Sequence, residues 1–162
     1  MLRKDASMDG AWALAFGIGF VAGLRTMTAP AVVGWAARVG WLHLGGSPLA
    51  FMGSTLAAVA LSIAALAEFV VDLLPATPRR TAPGPLAARI ASGAFCGACV
   101  AASAGIAWVA GAVLGGAGAV AGAFLGYQAR RQLVRRFRLK DALVAIPEDL
   151  LAIALALALV AR

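Results

Sequence analysis

The octet GLRTMTAP at residues 23–30 is a charged, helix-breaking sequence inside an otherwise apolar segment. Arg25 is its only charged residue, and Thr26 and Thr28 add hydroxyl groups. An unpaired charge in hydrocarbon costs about 2.5 to 3.5 kcal/mol on insertion scales, so an ionisable residue at membrane depth marks a functional site by default. Arg25, Thr26 and Thr28 are therefore the first candidates for binding an anionic group.

The conformation of this octet has two interpretations. Pro30 lacks an N–H and disfavours helix at Ala29. In one interpretation the helix is discontinuous, and the positive dipole end of a second half that starts near Ala31 joins Arg25 and the threonine hydroxyls in an anion-binding pocket. In the other, a proline-kinked helix crosses at a tilt and Arg25 pairs with a carboxylate of a neighbouring span.

A second group of candidates is acidic. Glu68 and Asp72 are four residues apart, which places them on one face of a helix. They are candidates for a proton relay or a cation contact, and the alternative is a structural ion pair with Arg25 or Arg89.

Glu148 and Asp149 form another acidic pair, directly after Pro147. A helix that begins at Pro147 would use them to complement its dipole. A helix that begins at Asp141, with a kink at Pro147, would bring them into the bundle.

Basic residues are concentrated in two segments. The proline-rich connector 75–85 and the segment 130–140 are candidates for contact with anionic lipid headgroups. The lipid or phosphate contacts predicted there are Arg79, Arg80, Arg130, Arg131, Arg135 and Arg136. The net charge of +7 has no accompanying aromatic-and-basic pattern, so nucleic-acid binding is not expected.

The composition predicts an all-α, polytopic membrane protein. The chain is 62% hydrophobic and 13% charged, with a mean hydropathy of +0.91, whereas soluble domains are about 25% charged. After a polar leader at 1–10, one helical domain (11–162) is expected. Its five spans are at about 11–41, 49–74, 86–114, 118–134 and 141–161, with the first broken or kinked.

Glycine spacing predicts how the helices pack. Gly115, Gly116 and Gly118 are expected to form a turn. Gly118, Gly122 and Gly126 give a flat face for close helix contact, within the fold or in a homo-oligomer. The C-x-x-C of Cys96 and Cys99 lies well inside a span, which favours packing over redox chemistry.

The distribution of basic residues predicts the orientation. With five spans and a cytoplasmic N-terminus, most lysines and arginines fall on the inside, as the positive-inside rule requires. The C-terminus is then expected outside.

The segments around Gly23–Pro30, Glu68–Pro75, Arg89 and Ala145–Asp149 resemble the family called domain of unknown function 4126. The resemblance covers nearly the whole chain and implies a small multi-span protein of the bacterial inner membrane, with no assigned activity.

The leading hypothesis for function is a small transporter or permeation unit, non-enzymatic and without cofactor or metal. Arg25 and the threonines would bind the anionic group, while the carboxylates handle a proton or cation. The alternatives are a membrane interaction protein with a closed ion-pair network and an enzyme acting on lipid headgroups, in which Glu68 and Asp72 hold a metal and Arg79 and Arg80 a phosphate.

Overall fold

The computed structural model describes residues 2–72, 81–137 and 141–160, with side chains described for 10–72, 81–132 and 150–160. Over these residues the fold is entirely helical and confirms a polytopic helical membrane protein. The helices are α1 (Leu2–Leu24), α2 (Thr28–Arg38), a short 3₁₀ helix (Ala50–Gly53), α3 (Thr55–Asp72), α4 (Pro83–Ser103), α5 (Trp108–Phe137) and α6 (Asp141–Val160).

Three of these helices are long and apolar enough to cross a bilayer: α3, α4 and the Trp108–Gln132 part of α5. Gly10–Leu24 of α1 and Leu150–Val160 of α6 are shorter apolar helices. The outer face of α3 exposes Leu56, Ile63 and Leu66, a surface suited to lipid.

A closely packed trio of α1, α4 and α5 forms the centre of the fold. Its interfaces bring backbone against backbone, because a Cβ added at Gly19 would overlap the carbonyl of Gly115, and one added at Gly97 would overlap that of Gly111. Gly23 likewise lies against Ala119. The glycine-rich faces are therefore used for contacts within the chain.

The order of these contacts gives the helix directions. Along α1, Gly19 faces Gly115 and Gly23 faces Ala119, so α1 and α5 run parallel. Along α4, Gly93 also faces Gly115 but Gly97 faces Gly111, so α4 runs the opposite way.

The segment 11–41 turns back on itself. Trp41 and Leu42 line one cavity with Leu14, and the amide of His43 donates to Ser103 Oγ at the end of α4, at 2.8 Å. Helices α1 and α2 therefore form a hairpin. We call its turn, Arg25–Met27, the tip; the end of the molecule nearer the tip is the tip end, and the end at which α1 begins is the amino end.

This hairpin refines the sequence prediction. A break near residues 25–30 is confirmed, but α2 begins at Thr28 rather than near Ala31, and it runs back toward the amino end. Pro30 is accommodated as the third residue of α2, because the first four N–H groups of a helix have no partner within it.

The reversal brings the start of α1 and the end of α6 to the same end of the fold. A Cβ at Gly17 of α1 would lie 3.1 Å from the Leu159 side chain of α6, so α6 finishes at the amino end. The five-span interpretation placed the termini on opposite sides, whereas α1 begins and α6 ends at the same end because the hairpin adds one reversal.

Two further boundaries differ from the prediction. The turn between the third and fourth predicted spans follows Ser103 and contains Gly105 with φ +68°. Gly115, Gly116 and Gly118 lie inside α5 instead. Glycine costs a helix about 1 kcal/mol relative to alanine, and here the close approach of α1 and α4 offsets that cost.

Candidate functional site

The N-terminus of α2 is capped by a carboxylate from another helix. Glu68 of α3 accepts the N–H of Thr26 on Oε1 and the N–H of Met27 on Oε2, both at 2.8 Å. Met27 is the N-cap residue, and its side chain makes no capping hydrogen bond. Glu68 thus supplies the negative charge that a helix N-terminus favours.

The C-terminus of α1 is capped by a cation from a third helix. Nη1 of Arg89, in α4, donates to the carbonyls of Gly23 and Leu24 at 2.9 and 2.8 Å. One turn further along α4, Ser92 Oγ donates to the carbonyl of Thr26. The backbone groups released by the reversal therefore obtain partners inside the protein, so they do not depend on water.

Ion pairs join the same helices. Nη2 of Arg25 lies 3.6 Å from Oδ2 of Asp72, and Nη2 of Arg89 lies 3.9 Å from Oε1 of Glu68. Arg25 also stacks over the ring of Phe69, with its guanidinium carbon 5.1 Å from the ring centroid. We call Arg25, the amides of Thr26 and Met27, Glu68, Asp72 and Arg89 the tip cluster.

The tip cluster is buried inside the protein. Arg25 and Arg89 are only 3% and 4% exposed. Arg89 follows Pro83 by six residues, which at about 1.5 Å per residue is about 9 Å from the start of α4. Gly23 packs against Ala119, about 17 Å along α5 from Trp108.

The structure brings together most of the predicted candidates for ligand binding. Arg25, Glu68, Asp72 and Arg89 meet at the tip, and both ion pairs that the sequence left as alternatives are present. Thr26 takes part through its backbone amide, and Thr28 is buried as the first residue of α2.

Two of the remaining candidates are described at the end of α5, and the side chains of the others are not described. In the last turns of α5, Arg130 is partly exposed and Arg131 is exposed. α6 begins at Asp141, the second of the two alternatives for the last span. The candidates whose side chains lie outside the described residues are Arg79, Arg80, Arg135, Arg136, Glu148 and Asp149.

Sequence reasoning missed two contributors to the tip. Ser92 lies three residues after Arg89, a spacing that places both on one face of α4. Phe69 directly follows Glu68. The spacing could have identified Ser92, but nothing in the sequence shows that Phe69 stacks on Arg25.

Two other kinds of site were considered from the sequence, a redox pair at Cys96 and Cys99 and a metal held by Glu68 and Asp72. Cys96 and Cys99 are fully buried, free thiols within α4. Both oxygens of Glu68 are directed at amides, and Asp72 is directed at Arg25. Among the described residues, no group of three or more His, Cys, Asp or Glu side chains is arranged to hold a metal ion.

An apolar cavity of about 100 Å³ lies near the amino end, away from the tip. Its lining residues are Leu14, Trp41, Leu42, Val100, Leu159 and Val160.

Comparison with known proteins identifies the family. Neither a curated protein nor a solved structure matches the chain. A family model matches residues 12–161, which include every element from the apolar part of α1 to α6 and the whole tip cluster. The chain therefore belongs to the family described as Domain of unknown function (DUF4126).

Proposed function

We propose that this protein is a small membrane transport or permeation unit whose centre is the tip cluster. The observation that carries the proposal is the reversal of the chain between two apolar helices, with its backbone bonded to the buried ionisable residues Glu68 and Arg89. In membrane proteins, interrupted helices and buried ionisable groups are the usual elements of ion and solute pathways.

The contacts of Glu68 suggest how a proton could control the tip. The ionised carboxylate accepts two amide hydrogens and pairs with Arg89. A protonated Glu68 carries no charge to pair with Arg89, and one of its oxygens becomes a donor. Proton arrival would therefore loosen the tip and expose its amides and guanidinium groups to an anion.

The test is flux in liposomes that contain the purified protein. Proton movement is followed with an internal pH dye under imposed proton and anion gradients, for the wild type, Glu68→Gln and Arg25→Ala. Gly116→Ala is the matched control, because a Cβ at Gly116 would make only ordinary contacts, at 3.6 Å or more. We expect flux from the wild type and the control, and its loss in both tip variants with the fold intact.

A second candidate function is supported by the same contacts. Both carboxylates of the tip are paired with guanidinium groups, so the cluster could be a closed network that holds the bundle together while function lies with a partner. This alternative predicts no flux under any gradient. It also predicts that Arg25→Ala and Asp72→Ala each destabilise the fold and that the double variant recovers stability.

The orientation and partners are part of the proposal. All four tryptophans, Trp12, Trp35, Trp41 and Trp108, lie toward the amino end, and α5 carries its arginines to the tip end. The sequence joining α3 to α4 adds Arg79 and Arg80. By the positive-inside rule we propose that the tip end faces the cytoplasm of a bacterial inner membrane, so that the N-terminus, expected in the cytoplasm for five spans, faces outward with the C-terminus. The proposed partners are anionic headgroups at the basic residues and a second copy of the chain.

A further inference from the structure

We infer that Asp72 is the residue at which a proton enters the tip cluster, and that Glu68 receives the proton from it. This inference rests on the transport function proposed above, for which it names the first proton-binding group. The step is a proton transfer alone. An oxygen of Asp72 gains a proton from water at the tip end and then gives it to an oxygen of Glu68, so that Asp72 is ionised again.

A buried oxygen atom carries the first step of the argument. Oδ2 of Asp72 is buried and has no hydrogen-bond partner in the described part of the chain. Its ion pair with Nη2 of Arg25 spans 3.6 Å, which is too long for a good hydrogen bond. A buried carboxylate oxygen without a donor is unfavourable, and a proton on this oxygen turns it into a donor itself.

The contacts of Glu68 carry the second step. Its two oxygens accept the amide hydrogens of Thr26 and Met27, both at 2.8 Å, and Oε1 also faces Arg89. A proton that arrives directly at Glu68 therefore competes with hydrogens that are already in place on both oxygens. A proton on Oδ2 of Asp72 displaces no hydrogen bond, so Asp72 is the carboxylate that is open to a proton from outside the cluster.

The order of the two carboxylates along α3 carries the third step. Asp72 is the last residue of α3, and Glu68 lies four residues earlier, about 6 Å deeper along the helix. Residues at this spacing share one face, with Cβ atoms about 5 to 6 Å apart, and a proton can pass between such groups directly or through one water. A proton that comes from the tip end therefore meets Asp72 before Glu68.

The charged groups around the two carboxylates fit this order. Within the described residues, Arg25 faces Asp72 and Arg89 faces Glu68. The other elements packed against α3 are α2 and the 3₁₀ helix, and Arg38, at the amino end, is the one charged residue in their sequences. Protonation of Asp72 thus acts first on its pair with Arg25, while the pair of Glu68 with Arg89 holds α3 until the proton moves on.

The experiment follows the carboxyl groups by time-resolved infrared spectroscopy of the purified protein in liposomes. A pH jump from a caged proton starts the reaction, and each protonated carboxyl gives a C=O stretching band that shifts in D₂O. Asp72→Asn and Glu68→Gln identify the two bands, because each substitution keeps the side-chain shape and removes one carboxyl group. Asp72→Glu is the matched control, since it restores a carboxyl group at the same position.

We expect the band of Asp72 to appear before that of Glu68 in the wild type, and at an unchanged rate in Glu68→Gln. In Asp72→Asn the band of Glu68 should appear at least about tenfold more slowly, because a positioned side chain typically speeds proton transfer by about 10²- to 10⁴-fold. Asp72→Glu should recover most of this rate. If Asp72→Asn does not fold, ¹³C-labelled aspartate replaces it: the early band should shift with the label in the wild type and not in Asp72→Glu.

An unchanged rate for Glu68 in Asp72→Asn, a Glu68 band that precedes that of Asp72, or an early band that ignores the label in the wild type would overturn the inference. Proton flux in the wild type together with any of these results would leave transport standing and remove Asp72 from the path. Transfer from Asp72 to Glu68 without flux under any gradient would retain the proton entry and remove the transport function.

Discussion

At the scale of single residues, charged side chains cap the helix ends at the tip, where short polar residues usually act as caps. A soluble helix is often capped by a neighbouring Ser, Thr, Asn or Asp, and its remaining end groups bind water. Here Met27 offers no cap, so Glu68 and Arg89 reach the tip from α3 and α4. Local capping and long-range packing are therefore combined in the same two residues.

Arg89 is expected to be the most sensitive single position. Replacement with alanine leaves the carbonyls of Gly23 and Leu24 without their donor and Glu68 without its paired charge, and breaking a buried pair in this way costs about 3 to 5 kcal/mol. Arg89→Lys should lose less, because it keeps the charge but not the guanidinium fork. Thermal unfolding in detergent measures both, and equal stability of the wild type and Arg89→Ala would contradict the assigned contacts.

At the scale of helices, backbone-to-backbone packing explains why the glycines are where they are. Gly115 faces Gly93 of α4 while Gly116, its neighbour in sequence, meets only side chains of α4 at ordinary distances. The two positions differ by one residue along α5 and so by about 100° around it. Only one of them lies at the close contact.

Gly115→Ala and Gly116→Ala should therefore have different effects on stability. A Cβ at position 115 would overlap the Gly93 carbonyl and force α4 and α5 apart, which typically costs about 1 to 3 kcal/mol. At position 116 the same change should be neutral or stabilising by up to about 1 kcal/mol, because alanine favours helix. Unfolding temperatures measured side by side test this, and matching losses in the two variants would count against the packing described.

The same helices show how far the sequence could predict the structure. The break was predictable because a proline, a glycine and an arginine in an apolar run conflict with a continuous span. An ion pair of Glu68 or Asp72 with Arg25 or Arg89 was one of the predicted alternatives, but the sequence did not show which carboxylate pairs with which arginine. The direction of α2 was not, because it depends on contacts between residues far apart in sequence, and the glycines of α5 give the same local pattern in a turn as in a close helix interface.

At the scale of the whole molecule, the hairpin brings the beginning of α1 and the end of α6 to the same end of the fold. Leu14 and Val160 line the same cavity, so the beginning of the apolar part of α1 and the end of α6 lie together. Basic residues are still unevenly distributed, as the sequence indicated. They are more frequent toward the tip end than toward the amino end.

Reporter fusions should detect this arrangement. We expect a reporter that is active only outside the cytoplasm to be active at both the N- and the C-terminus, and inactive when inserted between α3 and α4. A reporter that fluoresces only in the cytoplasm should give the reverse pattern. Opposite results at the two termini would show that α1 and α2 cross the membrane as one span, against the hairpin.

The proposed function depends most directly on the two hydrogen bonds that the Glu68 carboxylate accepts from the amides of Thr26 and Met27. Hydrogen exchange measured by mass spectrometry tests it most directly, in the wild type and Glu68→Ala, with a peptide of α5 around Gly115 as the internal control. We expect exchange in the peptide that contains the tip to be at least about tenfold faster in the variant, because losing a hydrogen-bond partner lowers the local opening free energy by about 1.4 kcal/mol or more. The control peptide should be unchanged. Equal exchange of the tip in the two proteins would show that Glu68 does not hold these amides, and would contradict the account of the site.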